Sequence, residues 1–238
     1  MEHERQGGLS ALSFELIFIP KVSIACQRIL WKMEQVRVVI FDCDGVMFDS
    51  RRANEAYYNH ILAHFGRPQM NREECDYVHM HTAEQSMLHL FRNDSKLKDA
   101  LAYWHHTSYL PFIPLMKIEP YLKAFLEYLR PAYKTAISTN RSDTMGPVLA
   151  EHGLEGYFDI VVSCLDVKYP KPDPDSLIKI LHHFELSPRE AIYIGDSEID
   201  ESAARAAEIP LVAYKNPTLS AAYHVTHFKE IEDLLEKN

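Results

Sequence analysis

Two aspartates, Asp42 and Asp44, stand two residues apart in FDCDGVMFDS, directly after the apolar run VRVVIF at 36–41. If that run is a strand, its two-residue period turns both carboxylates to one side. They then sit at the carboxyl end, where open α/β sheets bind ligands. Uncompensated, the pairing is repulsive and raises one pKa. A bound divalent cation removes the penalty, and hard oxygen donors select Mg2+. A loop whose aspartates satisfy backbone amides is the plain alternative, and the pair alone does not decide.

A second acidic cluster, IYIGDSEID, repeats the pattern. Asp196 follows an apolar run, and Gly195 permits close backbone approach, which favours a metal ligand. Asp200 has two readings of equal weight: support of that metal, or a capping box with Ser197 for the helix EIDESAARAAE. Ser138-Thr139-Asn140 places hydroxyl groups and fresh backbone amides after another apolar run, suited to phosphate oxygens; a plain Ser/Thr/Asn turn is the alternative. Lys171, in KYPKPDP, lies in a loop stiffened by prolines. A loop lysine is ordinarily solvated, and Lys168 could play the same part.

These residues need a sheet to bring them together, and the chain supplies one. VRVVIF (36–41), KTAIS (134–138), IVVSC (160–164), AIYIG (191–195) and PLVAY (210–214) are short, apolar and rich in β-branched residues. That is the pattern of parallel strands covered on both faces. Asp173-Pro174 reads as an N-cap and first helical residue for DSLIKILHHF, and Ser187 to Glu190 has capping-box spacing. More than ninety residues separate the first two runs, too many for one crossover. ANEAYYNHILAHFG sets Ala53, Tyr57, Ile61 and Phe65 on one helical face and stops at Gly66. The expected organisation is an N-terminal extension (1–32), an α/β core (33–50 and 118–238) and a helical insertion (51–117).

The 238 residues, 47% hydrophobic and 25% charged, have an ordinary globular balance. A net charge of -9 is the wrong sign for a general nucleic-acid binder. Cys26, Cys43, Cys75 and Cys164 include no CxxC pair, which argues against a disulfide framework or zinc ribbon and fits a reducing, cytoplasmic setting. Cys43, between the two aspartates, reads as a small packed residue. Residues 9–31 are broken by Glu15, Pro20, Lys21, Gln27 and Arg28, so no membrane span is expected. The acidic start and the Trp31-Lys32 that follow do not fit a signal peptide. Met33 runs directly into the first strand and is a candidate start.

In order, DCDGVMFDS, STN, KPDP and GDSEID resemble the four motifs of the haloacid dehalogenase superfamily, closest to its phosphoglycolate phosphatase and β-phosphoglucomutase-like branch. The likeness covers roughly residues 36–238. It implies a Rossmann-like parallel-sheet core with a helical cap in the C1 position. It also implies roles. Asp42 is the nucleophile that forms an aspartyl-phosphate, and Asp44 is the general acid and then base. Thr139, with Asn140, binds the phosphoryl group, and Lys171 pairs with Asp42 and the transferring charge. Asp196 ligates Mg2+ together with Asp42 and the Asp44 backbone carbonyl, and Asp200 supports it. Asp44, absent at that position in dehalogenases and phosphonatases, favours an oxygen leaving group.

Two departures stand out. DYVHMHTAEQSMLHLF has His79 where similar caps often carry glycine, and Ala207-Glu208 replaces the usual Ala-Gly, which predicts an altered turn. Seven of the 13 histidines fall within 51–117, and of these His79 and His81 are the two expected to face the site. The leading expectation is a Mg2+-dependent phosphatase acting on a small phosphorylated metabolite, with no nucleic-acid or membrane partner. A β-phosphoglucomutase-type phosphomutase is the first alternative. A non-catalytic phosphate-binding or regulatory module is the second, disfavoured because Asp42, Asp44, Lys171 and Asp196 are all present.

Overall fold

The computed structural model of the protein describes residues 33–236; the N-terminal extension, the candidate start apart, lies outside them. In chain order the strands are β1 (Val38–Phe41), β2 (Phe48–Asp49), β3 (Lys117–Ile118), β4 (Lys134–Ser138), β5 (Ile160–Val162), β6 (Ala191–Gly195), β7 (Leu211–Tyr214) and β8 (Tyr223–Val225). The helices are α1 (Arg51–His64), α2 (Arg72–Met80), α3 (Ala83–Leu90), α4 (Leu97–His105), α5 (Leu122–Leu129), α6 (Met145–Glu151), α7 (Asp175–Phe184), α8 (Glu198–Ala206) and α9 (Phe228–Glu236).

Six strands form one parallel sheet in the order β5-β4-β1-β6-β7-β8. The chain winds outward from β1 through β4 and β5, then returns to β6 on the other side of β1. The resulting switch point opens a crevice at the carboxyl end of β1. Both faces are covered, as the apolar runs require. Val38, Ile40, Tyr193 and Ala136 pack with Leu177 and Ile180 of α7 and Ala203 of α8. On the opposite face Phe41 meets Phe125 of α5 at 6.0 Å and Phe228 of α9 at 6.1 Å between ring centroids. This is the α/β, Rossmann-like architecture expected.

The expected strands are all present, two of them starting one or two residues later than the apolar runs. Strand β8 and the antiparallel β2–β3 pair were not anticipated, being three or fewer residues each. The pair matters: Phe48 faces Ile118 and Asp49 faces Lys117, so both connections to the inserted segment leave the core as one ribbon. Between them, α1 to α4 and a 3-10 segment (Leu110–Leu115) enclose their own apolar cluster, with Tyr58, Ile61, Met87, Leu90 and Phe91 at its centre. Capping boxes at Asn71/Glu74 and Thr82/Gln85 start α2 and α3.

One local expectation is corrected. Pro174, not Asp173, occupies the cap position of α7; Asp173 Oδ1 instead accepts the Asp175 N–H at 3.2 Å. Glu208, in the turn before β7, adopts φ 58°, the left-handed conformation that glycine would take without strain. Among the described residues no helix is long and apolar enough to cross a membrane.

Candidate active site

The strand ends deliver the expected side chains to one place. Asp42 follows β1, Thr139 follows β4 and Asp196 follows β6, all at the same edge of three adjacent strands. Lys171 arrives from the loop before α7 and is almost fully buried. Its Nζ donates to Asp42 Oδ1 and Asp200 Oδ1 and contacts the Tyr193 hydroxyl, each at 2.7 Å, and reaches the Ser138 carbonyl at 3.1 Å. Burial works against its charge, but Asp200 and Asp42 outweigh burial and hold its pKa above the usual lysine range. Lys168, the alternative, is exposed with its ammonium over the Tyr169 ring.

Asp200 forms the capping box of its second reading and also binds Lys171. Oδ2 accepts the Ser197 hydroxyl at 2.7 Å and the backbone N–H groups of Asp196 and Ser197 at 3.2 Å, completing the capping box of α8. Oδ1 accepts Lys171 and, at 2.6 Å, the Tyr193 hydroxyl. Burial raises its pKa, but Lys171 and these hydrogen bonds prevail and hold it low. The other two carboxylates go the opposite way. Burial raises Asp42 to about 7 despite Lys171 beside it. Asp196 is pushed well up by burial and by the neighbouring Asp200 and Asp42.

The site therefore carries more negative charge than its cations balance. Carboxylate oxygens of Asp42, Asp196 and Asp200 approach within 4.8 Å of one another, close enough to share a metal ion. The backbone is shaped to allow it. Gly45 has φ 84°, and a Cβ there would lie 2.1 Å from Asp196 Oδ2, so a side chain would evict the carboxylate. All-oxygen donors, with the pKa values of Asp42 and Asp196 raised, suit a hard divalent cation.

Asp44 lies apart from this cluster, in the grip of Arg141. The guanidinium donates Nε to Oδ2 and Nη2 to Oδ1, both at 2.7 Å, and the Ser50 hydroxyl also donates to Oδ1. Burial would raise Asp44, but the Arg141 fork outweighs it and lowers the pKa. Arg141 in turn contacts the Tyr109 hydroxyl at 3.2 Å and stacks 5.0 Å over its ring. Sequence reasoning missed Arg141: a cation follows Ser-Thr-Asn, but nothing local pairs it with Asp44. It also missed Tyr193, hidden in a strand where an aromatic reads as core.

Thr139 is buried, its N–H bound to the Val162 carbonyl and its Oγ1 accepting the Arg141 N–H. Asn140 spends its amide on carbonyls, donating to Lys171 O at 3.0 Å and Met80 O at 3.3 Å. It thus braces the lysine loop against the inserted helices. Cys43 is fully buried, as expected of a packed residue, and burial pushes its thiol up.

A cavity of about 620 Å³ lies between the strand ends and the inserted segment. Asp42, Asp44, Thr139, Lys171, Asp196 and Asp200 line its floor, and His79 and His81 line its other wall. His105 and His106, which sequence reasoning passed over, line that wall too. A buried carboxylate, a buried cation, a metal-competent acid cluster and a second carboxylate in one cavity can carry out phosphoryl transfer.

The comparisons agree with this geometry. A hydrolase of Geobacter sulfurreducens, from subfamily IA of the haloacid dehalogenase superfamily, superposes with a TM-score of 0.71; it is 40% identical, over 86% of this chain and 98% of that one. A pyrophosphatase of Bacillus velezensis is 28% identical over 72% of this chain and 80% of its own length. A phosphoglycolate phosphatase of Mesorhizobium japonicum is 26% identical over 82% and 87% respectively. Residues 39–214, which hold every side chain in the cluster, match the haloacid dehalogenase-like hydrolases, and the chain belongs to that family.

Proposed function

We propose that the protein is a Mg2+-dependent phosphatase that hydrolyses a small phosphorylated metabolite through an aspartyl-phosphate on Asp42. The observation that carries this reading is the convergence of Asp42, Thr139, Lys171 and Asp196, from four chain segments, on one cavity. Relatives named as phosphatases and a pyrophosphatase support it.

Asp42 attacks phosphorus in line with the leaving oxygen. Lys171, 2.7 Å from Asp42 Oδ1, favours its ionised form and screens its repulsion from the incoming phosphate. Thr139 and the backbone amide of Asn140 receive phosphoryl oxygens, because the Asn140 side chain is engaged elsewhere. A divalent cation held by Asp42, Asp196 and the Asp44 carbonyl, supported by Asp200, would neutralise charge between carboxylate and phosphate. Arg141 keeps Asp44 ionised, the form that takes a proton from water attacking the intermediate. To protonate the leaving oxygen, Asp44 must first take up a proton from solvent as that fork loosens on substrate entry; handing it over returns Asp44 to the ionised form. The segment 51–117 acts as a cap that closes over the site and excludes bulk water.

The test is turnover of p-nitrophenyl phosphate with Mg2+, expected in the native protein and abolished in Asp42→Asn. Release of inorganic phosphate, as opposed to isomerisation of β-glucose 1-phosphate, identifies hydrolysis. Absence of turnover on every phosphate ester tried would overturn the reading.

A further inference from the structure

The two walls of the cavity differ in charge. Both of its permanent cations, Arg141 and Lys171, stand on the core side, and both are spent on carboxylates. Against them the lining carries five aspartates: Asp42, Asp44, Asp143, Asp196 and Asp200. The inserted segment adds no lysine or arginine to the lining. Its basic groups there are imidazoles: half-buried His79, its pKa lowered by desolvation; His81, bonded to the Tyr77 carbonyl; and exposed His105 and His106.

What the inserted wall does offer is aromatic. Tyr57, Tyr58, Trp104 and Tyr109 line it, with the Asn54 amide among them. At the mouth, Leu110 from the insert and Leu165 from the core remain 54% and 68% exposed, apolar lips on either side. A second anion on the leaving group would enter an already acidic cavity with no free cation to meet it, at a desolvation cost nothing there offsets. A ring would find the half-buried Trp104 beside it, and a cavity of about 620 Å³ has room for one.

Resting on the phosphatase reading above, we propose that the leaving group is an uncharged, ring-bearing alcohol, a nucleoside or a sugar. Esters carrying a second anion are then poor substrates. This separates the chain from relatives named for phosphoglycolate and pyrophosphate, whose leaving groups are themselves anionic.

The experiment compares kcat/KM, with Mg2+, for adenosine 5′-monophosphate, glucose 6-phosphate, phosphoglycolate and pyrophosphate on the full chain. At least one ring-bearing ester is expected to exceed both of the others by tenfold or more, and the two ring-bearing arms tell nucleoside from sugar. Phosphoglycolate or pyrophosphate turned over as well as the better ring-bearing ester would overturn the proposal. Trp104→Ala is expected to raise KM for the preferred ester by roughly 2–10-fold, the worth of one aromatic contact; equal losses on ring-bearing and ring-free esters would remove that contact. If no ester is hydrolysed, p-nitrophenyl phosphate included, the phosphatase reading fails, and binding still tests the cavity. With two tryptophans in the chain, Trp31→Phe leaves Trp104 as the sole reporter. Saturable quenching of its emission by adenosine or glucose, but not by glycolate, supports the proposal, and quenching by glycolate alone refutes it.

Discussion

On the core side of the cavity both cations and Asp200 are committed. Lys171 touches four partners and Asp200 accepts five hydrogen bonds, and Arg141 grips Asp44 with two parallel bonds. The inserted side is built from ring packing. Tyr57 packs on Tyr58, Tyr109 and Phe112, and His81 and His89 both stack on Tyr77. Among the described residues, the buried side-chain polar atoms without a hydrogen-bond partner are His79 Nδ1, His89 Nε2 and Asn140 Oδ1. Two belong to the insert, and the third to the residue that braces it. A site that stabilises charge in a transition state needs fixed dipoles in place beforehand. A surface that only selects a substrate does better with packing that tolerates adjustment and with polar atoms left for the ligand. Under the proposed function, the division of bonding matches a division of labour between chemistry and choice.

The contrast is broken most directly at Lys171. Replacing it with methionine leaves Asp42 and Asp200 buried together without their cation. Removing one partner of a buried ion pair costs about 3–5 kcal/mol, and losing a preorganised donor costs about 10²–10³ in kcat. Urea denaturation and turnover should therefore fall together. A Lys171→Met protein as stable as the native one would mean that the core side is not held by its charges.

Protons and cations compete for the same carboxylates, which gives a second, intermediate effect. Asp42 rises from 3.8 to about 7 on burial, and Asp196 shifts the same way. Between those values the cation-free fold holds protons that the unfolded chain has released, so its stability falls as pH rises through that window. A cation binds the ionised carboxylates, and its stabilisation grows over the same range. At about 100 times its dissociation constant, Mg2+ is worth about 2.7 kcal/mol, or roughly 5–10 °C in Tm for a domain of this size. Melting curves should show that gain at pH 7.5 and less than half of it at pH 5. Equal gains at both pH values would uncouple the cation from Asp42 and Asp196.

The same contrast explains what was legible in the sequence. Strands β1, β4 and β6 and the residues that follow them, Asp42, Thr139 and Asp196, are local signals: an apolar run followed by the residue its last peptide must aim. The Ser197–Asp200 capping box is equally local, four consecutive residues with their own hydrogen bonds. Arg141 was not legible, because its partner Asp44 is 97 residues away and only the sheet order brings them together. Tyr193 looked like one more core aromatic, since periodicity reports burial and says nothing of where a hydroxyl points. The inserted wall was the least readable. Its lining is drawn from α1, α2, α4 and the loop beyond, so which histidines reach the cavity depends on how helices pack.

The two histidines singled out from the sequence give the finest test of the contrast, because the structure gives them unlike surroundings. His81 lies flat on Tyr77 at 3.8 Å between centroids and bonds its Nδ1 to the Tyr77 carbonyl, so its ring is occupied in holding the end of α2. His79 lines the cavity with Nδ1 buried and unpartnered, and burial lowers its pKa despite the nearby Asp44. It is a neutral polar group waiting for a hydrogen bond, worth about 0.5–1.5 kcal/mol when made, or roughly 2–10-fold in KM. His79→Ala should raise KM for the best substrate by that factor and leave kcat within about twofold. Since a lowered pKa keeps the ring neutral above its ordinary 6.5, the factor should not vary between pH 6.5 and 8. His81→Ala, by contrast, should reduce stability and change KM less. Steady-state kinetics of the two single variants decide the matter: a collapse of kcat in His79→Ala would place that residue with the chemistry of the core, and the separation of the two walls would no longer hold.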